Sequence, residues 1–232
     1  MKLSILGAIA ISAIAISAAA CVMQRGLTSD ALARLKGRQL TTTVRPPPAL
    51  LLDIPEAYWL RWRPGVVGMS VAGEQFVREN AIVDPAFQIA RELGDGFGKG
   101  YGLRPSPPVL VGLDGDPTKI HQPIPAGDLV LDVWTDNWSL EPFPYEDSRF
   151  RVRYRVNMLL IDARVAHPVG GGWGEVIAEA TCSCVSEDAS LAPSYDQLVA
   201  DHAHRVKSEL DTAAEFCVED FRSKILPAAA QP

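Results

Sequence analysis

The chain has 232 residues, a net charge of −6 and 22% charged residues, a balance that excludes nucleic-acid binders, which concentrate Lys and Arg. Its 47% hydrophobic content is globular, inflated by an apolar amino terminus. Eighteen Pro and eighteen Gly predict long irregular connections rather than a compact helical bundle.

Met1-Lys2 supplies a short positive start, and Leu3 to Ala20 runs without a charge before closing on Ala18-Ala19-Ala20-Cys21. A positive start, an apolar stretch and small residues before a cut make an export signal, here residues 1–20. Three fates remain open for it. Cleavage before Cys21 with acylation of its thiol is the favoured one. Ordinary cleavage at the same bond would leave Cys21 unmodified. An uncleaved anchor is the third, since Leu3 to Met23 is about the length of a bilayer span.

A short helix is expected at Ser29–Lys36, stopped by Gly37. Residues 21–48 as a whole read as a tether, because Thr41-Thr42-Thr43 and Pro46-Pro47-Pro48 favour an extended chain; an ordinary surface loop is the alternative. Residues 49–226 are then one α+β domain of ordinary size, and 227–232 a disordered tail. Ala49 to Ile54 predicts a first strand, followed by Tyr58, Trp59 and Trp62 interleaved with Arg61 and Arg63. Val66 to Val71 predicts a second, weaker strand. Asp84-Pro85 opens a helix, with Ala86, Ala90, Leu93 and Phe97 on one apolar face. Val109 to Val111 is a short strand candidate, and 112–128 a loop.

Leu129 to Trp138 predicts a strand. Phe150, Val152, Tyr154, Val156, Met158 and Leu160 then alternate with Arg149, Arg151, Arg153, Arg155 and Asn157, a period of two that separates a core face from an arginine face. With Glu175 to Val185 these strands make an antiparallel meander, joined by loops longer than tight hairpins. Ser194 with Gln197 is a capping box for a long helix to about Lys224. Its buried stripe runs through Tyr195, Val199, His202, Val206, Leu210, Ala213, Cys217, Phe221 and Ile225. The expected fold is therefore α+β, with a mixed or antiparallel sheet ending in the meander and packed by the mid-chain and carboxy-terminal helices.

Cys182 and Cys184 share the small apolar face of the last strand, and Cys217 lies on the stripe of the helix that packs there. A bridge from Cys182 to Cys217 is sterically sensible, with Cys184 as the alternative partner. Its loop of roughly 35 residues corresponds to about 3–4 kcal/mol in the chain-entropy model. Cys-Ser-Cys with one distant Cys lacks a fourth metal ligand.

Other chemistry fails on spacing. The glycines from Gly94 to Gly102 form neither G-x-G-x-x-G nor a P-loop, and are expected to weaken or end their helix before Leu103. Asp114, Asp116 and Asp132 lack the closing Glu of a calcium loop. His202 and His204 point to different faces of a helix, His121 and His167 have no visible partner, and no G-x-S-x-G elbow occurs. No catalytic residue, cofactor or metal is assigned. The arginine row could hold an acidic partner or lipid headgroups. The favoured reading instead pairs it across the strands with acids such as Asp132 and Asp136.

The order of a helix opened by Asp84-Pro85 and ending near Tyr101-Gly102-Leu103, a Tyr/Arg-rich strand and a Cys-bearing final helix resembles uncharacterised proteobacterial outer-membrane lipoproteins. More remotely, the helix-then-strand pattern is similar to envelope lipoproteins related to the amino-terminal domain of the Tol translocation protein B. The resemblance spans roughly residues 49–226 and implies an envelope role and no site residues. The signal box departs from the lipoprotein pattern at Ala18, where Leu is usual. By the same resemblance, Val22 after Cys21 implies the outer membrane, and three acyl chains on Cys21 give stable anchoring where one would be marginal. The expectation is a palmitate-bearing, non-enzymatic protein on the periplasmic face of the outer membrane, binding or scaffolding another envelope component. A soluble periplasmic or secreted protein is the alternative location. A secreted hydrolase, or an accessory lipoprotein of a transporter, is the rival function.

Overall fold

The computed structural model describes residues 24–53, 66–111, 129–143, 146–164, 174–185 and 192–225. The export signal, Cys21, the aromatic cluster at Tyr58, Trp59 and Trp62, Asp114, Asp116, His121, His167 and the carboxy-terminal tail lie outside the described residues.

Thr28 caps the first helix, α1 (Ser29–Leu35), its hydroxyl accepting the Ala31 N–H at 3.2 Å. Gly37 follows at φ 79°, a left-handed turn that glycine makes without a Cβ clash. The chain then enters a mixed sheet of order β3-β1-β5-β6-β7. Strand β1 (Gln39–Val44) runs parallel to β3 (Arg104–Pro105), β4 (Val109–Leu110) and β5 (Leu129–Phe143). Strand β2 (Leu51–Leu52) runs parallel to the far end of β5. β5, β6 (Glu146–Asp162) and β7 (Glu175–Val185) form the antiparallel meander. Helices α2 (Val66–Asn80), α3 (Ala86–Tyr101) and α4 (Tyr195–Ile225) complete an α+β fold.

The core is the interface between one sheet face and the helices. Leu131, Val133, Val156, Met158, Leu160, Ala178 and Ala180 from the sheet meet Ile89, Leu93, Phe97, Val206, Leu210 and Phe221. The period-two and period-3.6 stripes read from the sequence thus close on each other. Asp84 accepts the Ala86 N–H at 3.1 Å at the start of α3, and Gly102 ends it at φ 65°. At the start of α4 the Ser194 N–H donates to Gln197 Oε1 at 2.9 Å and the Gln197 N–H to Ser194 Oγ at 3.3 Å.

Several expectations are corrected. Residues 39–44, expected within a tether, are β1. Leu40 and Val44 are buried, and so are Thr42 and Thr43, because β-branched threonine suits a pleated strand. The following prolines are held too, with Trp138 Nε1 donating to the Pro48 carbonyl at 2.8 Å. Val66 to Val71, expected as a strand, begins α2. Its buried Gly73 and Phe76, with half-buried Met69, Ala72 and Val77, follow helical spacing and outweigh the β-branched run. β5 continues beyond Trp138 to Phe143, which pairs with Glu146, so only two residues join β5 to β6 and the connection is as short as a tight hairpin. The glycine run does end α3 before Leu103, at Gly102, whereas Gly94 and Gly98 lie inside the helix. A Cβ on Gly94 would meet Thr42 Oγ1 at 3.2 Å and one on Gly98 would meet Pro105 at 3.0 Å, so they let α3 approach the sheet closely. α4 is interrupted, with Asp201, His202 and Ala203 at φ 50°, 56° and 55°. That turn takes His202 off the stripe into solvent and buries Ala203 instead.

Candidate functional site: the strapped edge and the arginine face

β7 is an edge strand, and the described chain begins by strapping it. Arg25 forms an antiparallel bridge with Glu179, each N–H donating to the other's carbonyl at 3.0 Å. The Arg25 guanidinium donates to the Val176 carbonyl at 2.6 Å and faces Glu175 at 3.7 Å. The Leu27 N–H donates to the Ile225 carbonyl at 2.8 Å, and Lys224 Nζ donates to the Thr181 carbonyl at 2.8 Å. Open edges invite pairing with another chain. Here two cations and a short backbone bridge occupy part of that edge.

Behind the edge, Cys182 of β7 is bonded to Cys217 of α4 across a Cα–Cα distance of 5.5 Å, both fully buried. Cys184, the alternative partner, is a free thiol. Burial, with the charge of Glu209, pushes its pKa up, which disfavours the reactive thiolate.

The arginines of β6 are largely engaged within the fold. Arg149 donates to the Ala192 carbonyl at 2.7 Å. Arg151 and Arg153 share Glu141 on β5 at 2.7 and 2.8 Å, and Arg155 meets Asp136 at 3.2 Å. Partial burial would raise the Glu141 pKa, but hydrogen bonds from Arg153 and Arg151 outweigh it and hold the carboxyl below its usual range. Asp136 therefore pairs as expected, whereas Asp132 does not serve the row. It is fully buried and accepts from Thr43 Oγ1 at 2.9 Å and from Arg45 through Nε at 2.8 Å and through Nη2. Arg45 also lies 3.9 Å from the Trp134 ring centroid, a cation–π contact.

Two further clusters carry no sequence motif. Arg38 grips Asp162 with two hydrogen bonds of 2.7 and 2.6 Å, which chiefly lower the Asp162 pKa to about 2. Asp84, singled out only as a helix start, sits behind the sheet with Thr135 and Tyr154. Thr135 and Tyr154 hydroxyls lie 3.0 Å apart, and Tyr154 donates to Asp84 at 3.4 Å. Burial raises the Asp84 pKa despite these bonds. Burial, then the Asp84 charge, also raises that of Tyr154. The only sequence signal for such pairs is a polar residue at a core-facing position, and Thr135 is the example here.

Among the described residues no group of three His, Cys, Asp or Glu could hold a metal, and no helix is long and apolar enough to cross a membrane. No family model and no curated protein matches the chain. Among solved structures it is similar to a PelC dodecamer from Paraburkholderia phytofirmans, with a TM-score of 0.36 and 11% identity over 88% of this chain and 97% of that one. A DUF330 protein from Xanthomonas campestris gives a TM-score of 0.35 and 10% identity, over 81% and 82% of the two chains. A lipoprotein from Neisseria meningitidis gives 0.24 and 12%, over 78% and 99%. These likenesses are distant, carry no function to this chain and do not show the resemblance to Tol translocation protein B.

Proposed function

We propose that this is a lipid-anchored, periplasm-facing envelope protein of the outer membrane that binds or scaffolds another envelope component without catalysing a reaction. The observation that carries the reading is the buried Cys182–Cys217 bond between β7 and α4. Such a bond belongs in an oxidising compartment, where the signal ending at Cys21 would deliver the chain. The acyl groups on Cys21 are the membrane contact. The arginine face of β6 is the partner surface, because Arg153 and Arg155 remain 40% and 48% exposed while paired. Among the described residues Arg151 and Arg153 share Glu141 and Arg155 meets Asp136, and the exposed guanidinium groups present positive charge to an acidic partner.

The test is co-purification from detergent-solubilised membranes, comparing the natural chain with Arg153→Ser/Arg155→Ser. The expected result is an envelope protein retained by the natural chain and lost from the variant, with the melting temperature little changed. Turnover of a screened substrate with no retained partner overturns the reading.

A further inference from the structure

One ladder row crosses the whole sheet. Arg25 pairs with Glu179, Glu179 with Leu159, Leu159 with Asp132, Asp132 with Thr43, and Thr43 with Val109. Five steps between neighbouring strands, at about 4.8 Å each, put the backbones of Arg25 and Val109 about 24 Å apart on opposite edges. Arg25 cannot drift from its edge without breaking the bridge to Glu179, the bond to the Val176 carbonyl and the neighbouring bond from Leu27 to Ile225. Cys21 lies four residues before Arg25. Whatever path those residues take, they span at most about 14 Å. A lipid on Cys21 is therefore confined to one side of the fold.

We infer that the outer edge of β7, together with the carboxy-terminal end of α4, lies against the lipid leaflet that holds Cys21. The inference rests on the anchor reading above. The body stands directly on the bilayer, and the β3–β4 edge faces away from it. That far edge exposes Val109 and Leu110 at 43% and 57%. Residues 39–44, which would have given slack as a tether, are a strand of the sheet, and Arg45 and Pro48 after them are bonded to it, so this segment does not lengthen the leash.

The test places one fluorophore at a time, by Ser183→Cys beside the strapped edge or Val109→Cys on the far one, in a Cys184→Ser background. The acylated protein is reconstituted into vesicles containing lipid with a nitroxide on its headgroup. Loss of most of the fluorescence at 183 and little loss at 109 is the expected result. A flexible insertion of about ten Gly/Ser residues after Cys21, with an r.m.s. span of about 17 Å, should bring the two sites together. Equal quenching without the insertion overturns the orientation while leaving the anchor intact. Failure to enter vesicles, with an unmodified Cys21 by mass, overturns both and is distinguishable from the first failure.

Discussion

Arg25 and Glu179 exchange backbone hydrogen bonds in both directions, each of 3.0 Å, so the first described residues of the chain are part of the folded body. Leu27, 5% exposed, fixes that segment in the core. Leu27→Ala should cost about 2–3 kcal/mol and speed hydrogen exchange at the Glu179 amide. Exchange at the natural rate would mean that the bridge does not depend on this packing.

The Cys182–Cys217 bond closes a separation of 35 residues, and its loss should cost about 3–4 kcal/mol in denaturant unfolding. Cys217→Ser tests this. Before reductant is added, the natural chain should be about 2 Da lighter than its reduced form. Cys184→Ser should leave that difference unchanged, because Cys184 is outside the bond.

Asp162 gives a pH dependence of defined sign. Its folded pKa of about 2 lies below the ordinary 3.8, so its contribution is present in full above that ordinary value and is lost as pH falls towards about 2. Asp162→Asn should cost about 2–3 kcal/mol at neutral pH, by leaving Arg38 without its carboxylate. Unfolding measured from pH 2 to 7 should show a shallower acid slope in the variant. An identical slope would remove Asp162 as the cause.

Asp84 has the opposite sign. Its folded pKa is raised by burial, so stability falls as pH rises from 3.8 through the raised value. Asparagine keeps the Oδ1 acceptor used by Ala86. Asp84→Asn should therefore flatten this limb and gain about 1 kcal/mol at neutral pH. A destabilised variant with the limb intact would contradict the assignment.

Gly73 sets how closely α2 approaches β2. A Cβ there would fall 1.7 Å from the Leu50 carbonyl oxygen, so Gly73→Ala should cost about 2–3 kcal/mol. Gly100→Ala, where the Cβ meets nothing within 4 Å, should be neutral or stabilising by up to about 1 kcal/mol. Equal melting temperatures for the two variants would contradict this packing.

The meander and the two long helices are legible in the sequence because each has a single dominant period. β6 alternates from Phe150 to Leu160, and α3 repeats through Ala90, Leu93 and Phe97. A bridge from β7 to α4 is legible for the same reason, but Cys182 and Cys184 share one face, and only the structure assigns the bond to Cys182. The β1 strand is not. Its three threonines and the prolines after it match solvated chain as well as buried strand, and only the Asp132 carboxylate, 89 residues away, accepts the Thr43 hydroxyl. Asp132 is misplaced in the sequence reading for a related reason: β5 is buried on both faces there, so its alternation does not reveal an outward side. The α4 turn at Asp201 to Ala203 carries neither Gly nor Pro, the usual markers of a break. The strap at Arg25 is a single β-bridge with a few flanking bonds and has no period at all.

Intact mass spectrometry of the protein extracted from membranes tests attachment through Cys21 most directly. The expected species begins at Cys21 and carries the added mass of fatty acyl groups. A chain that retains residues 1–20, or one that begins at an unmodified Cys21, contradicts it.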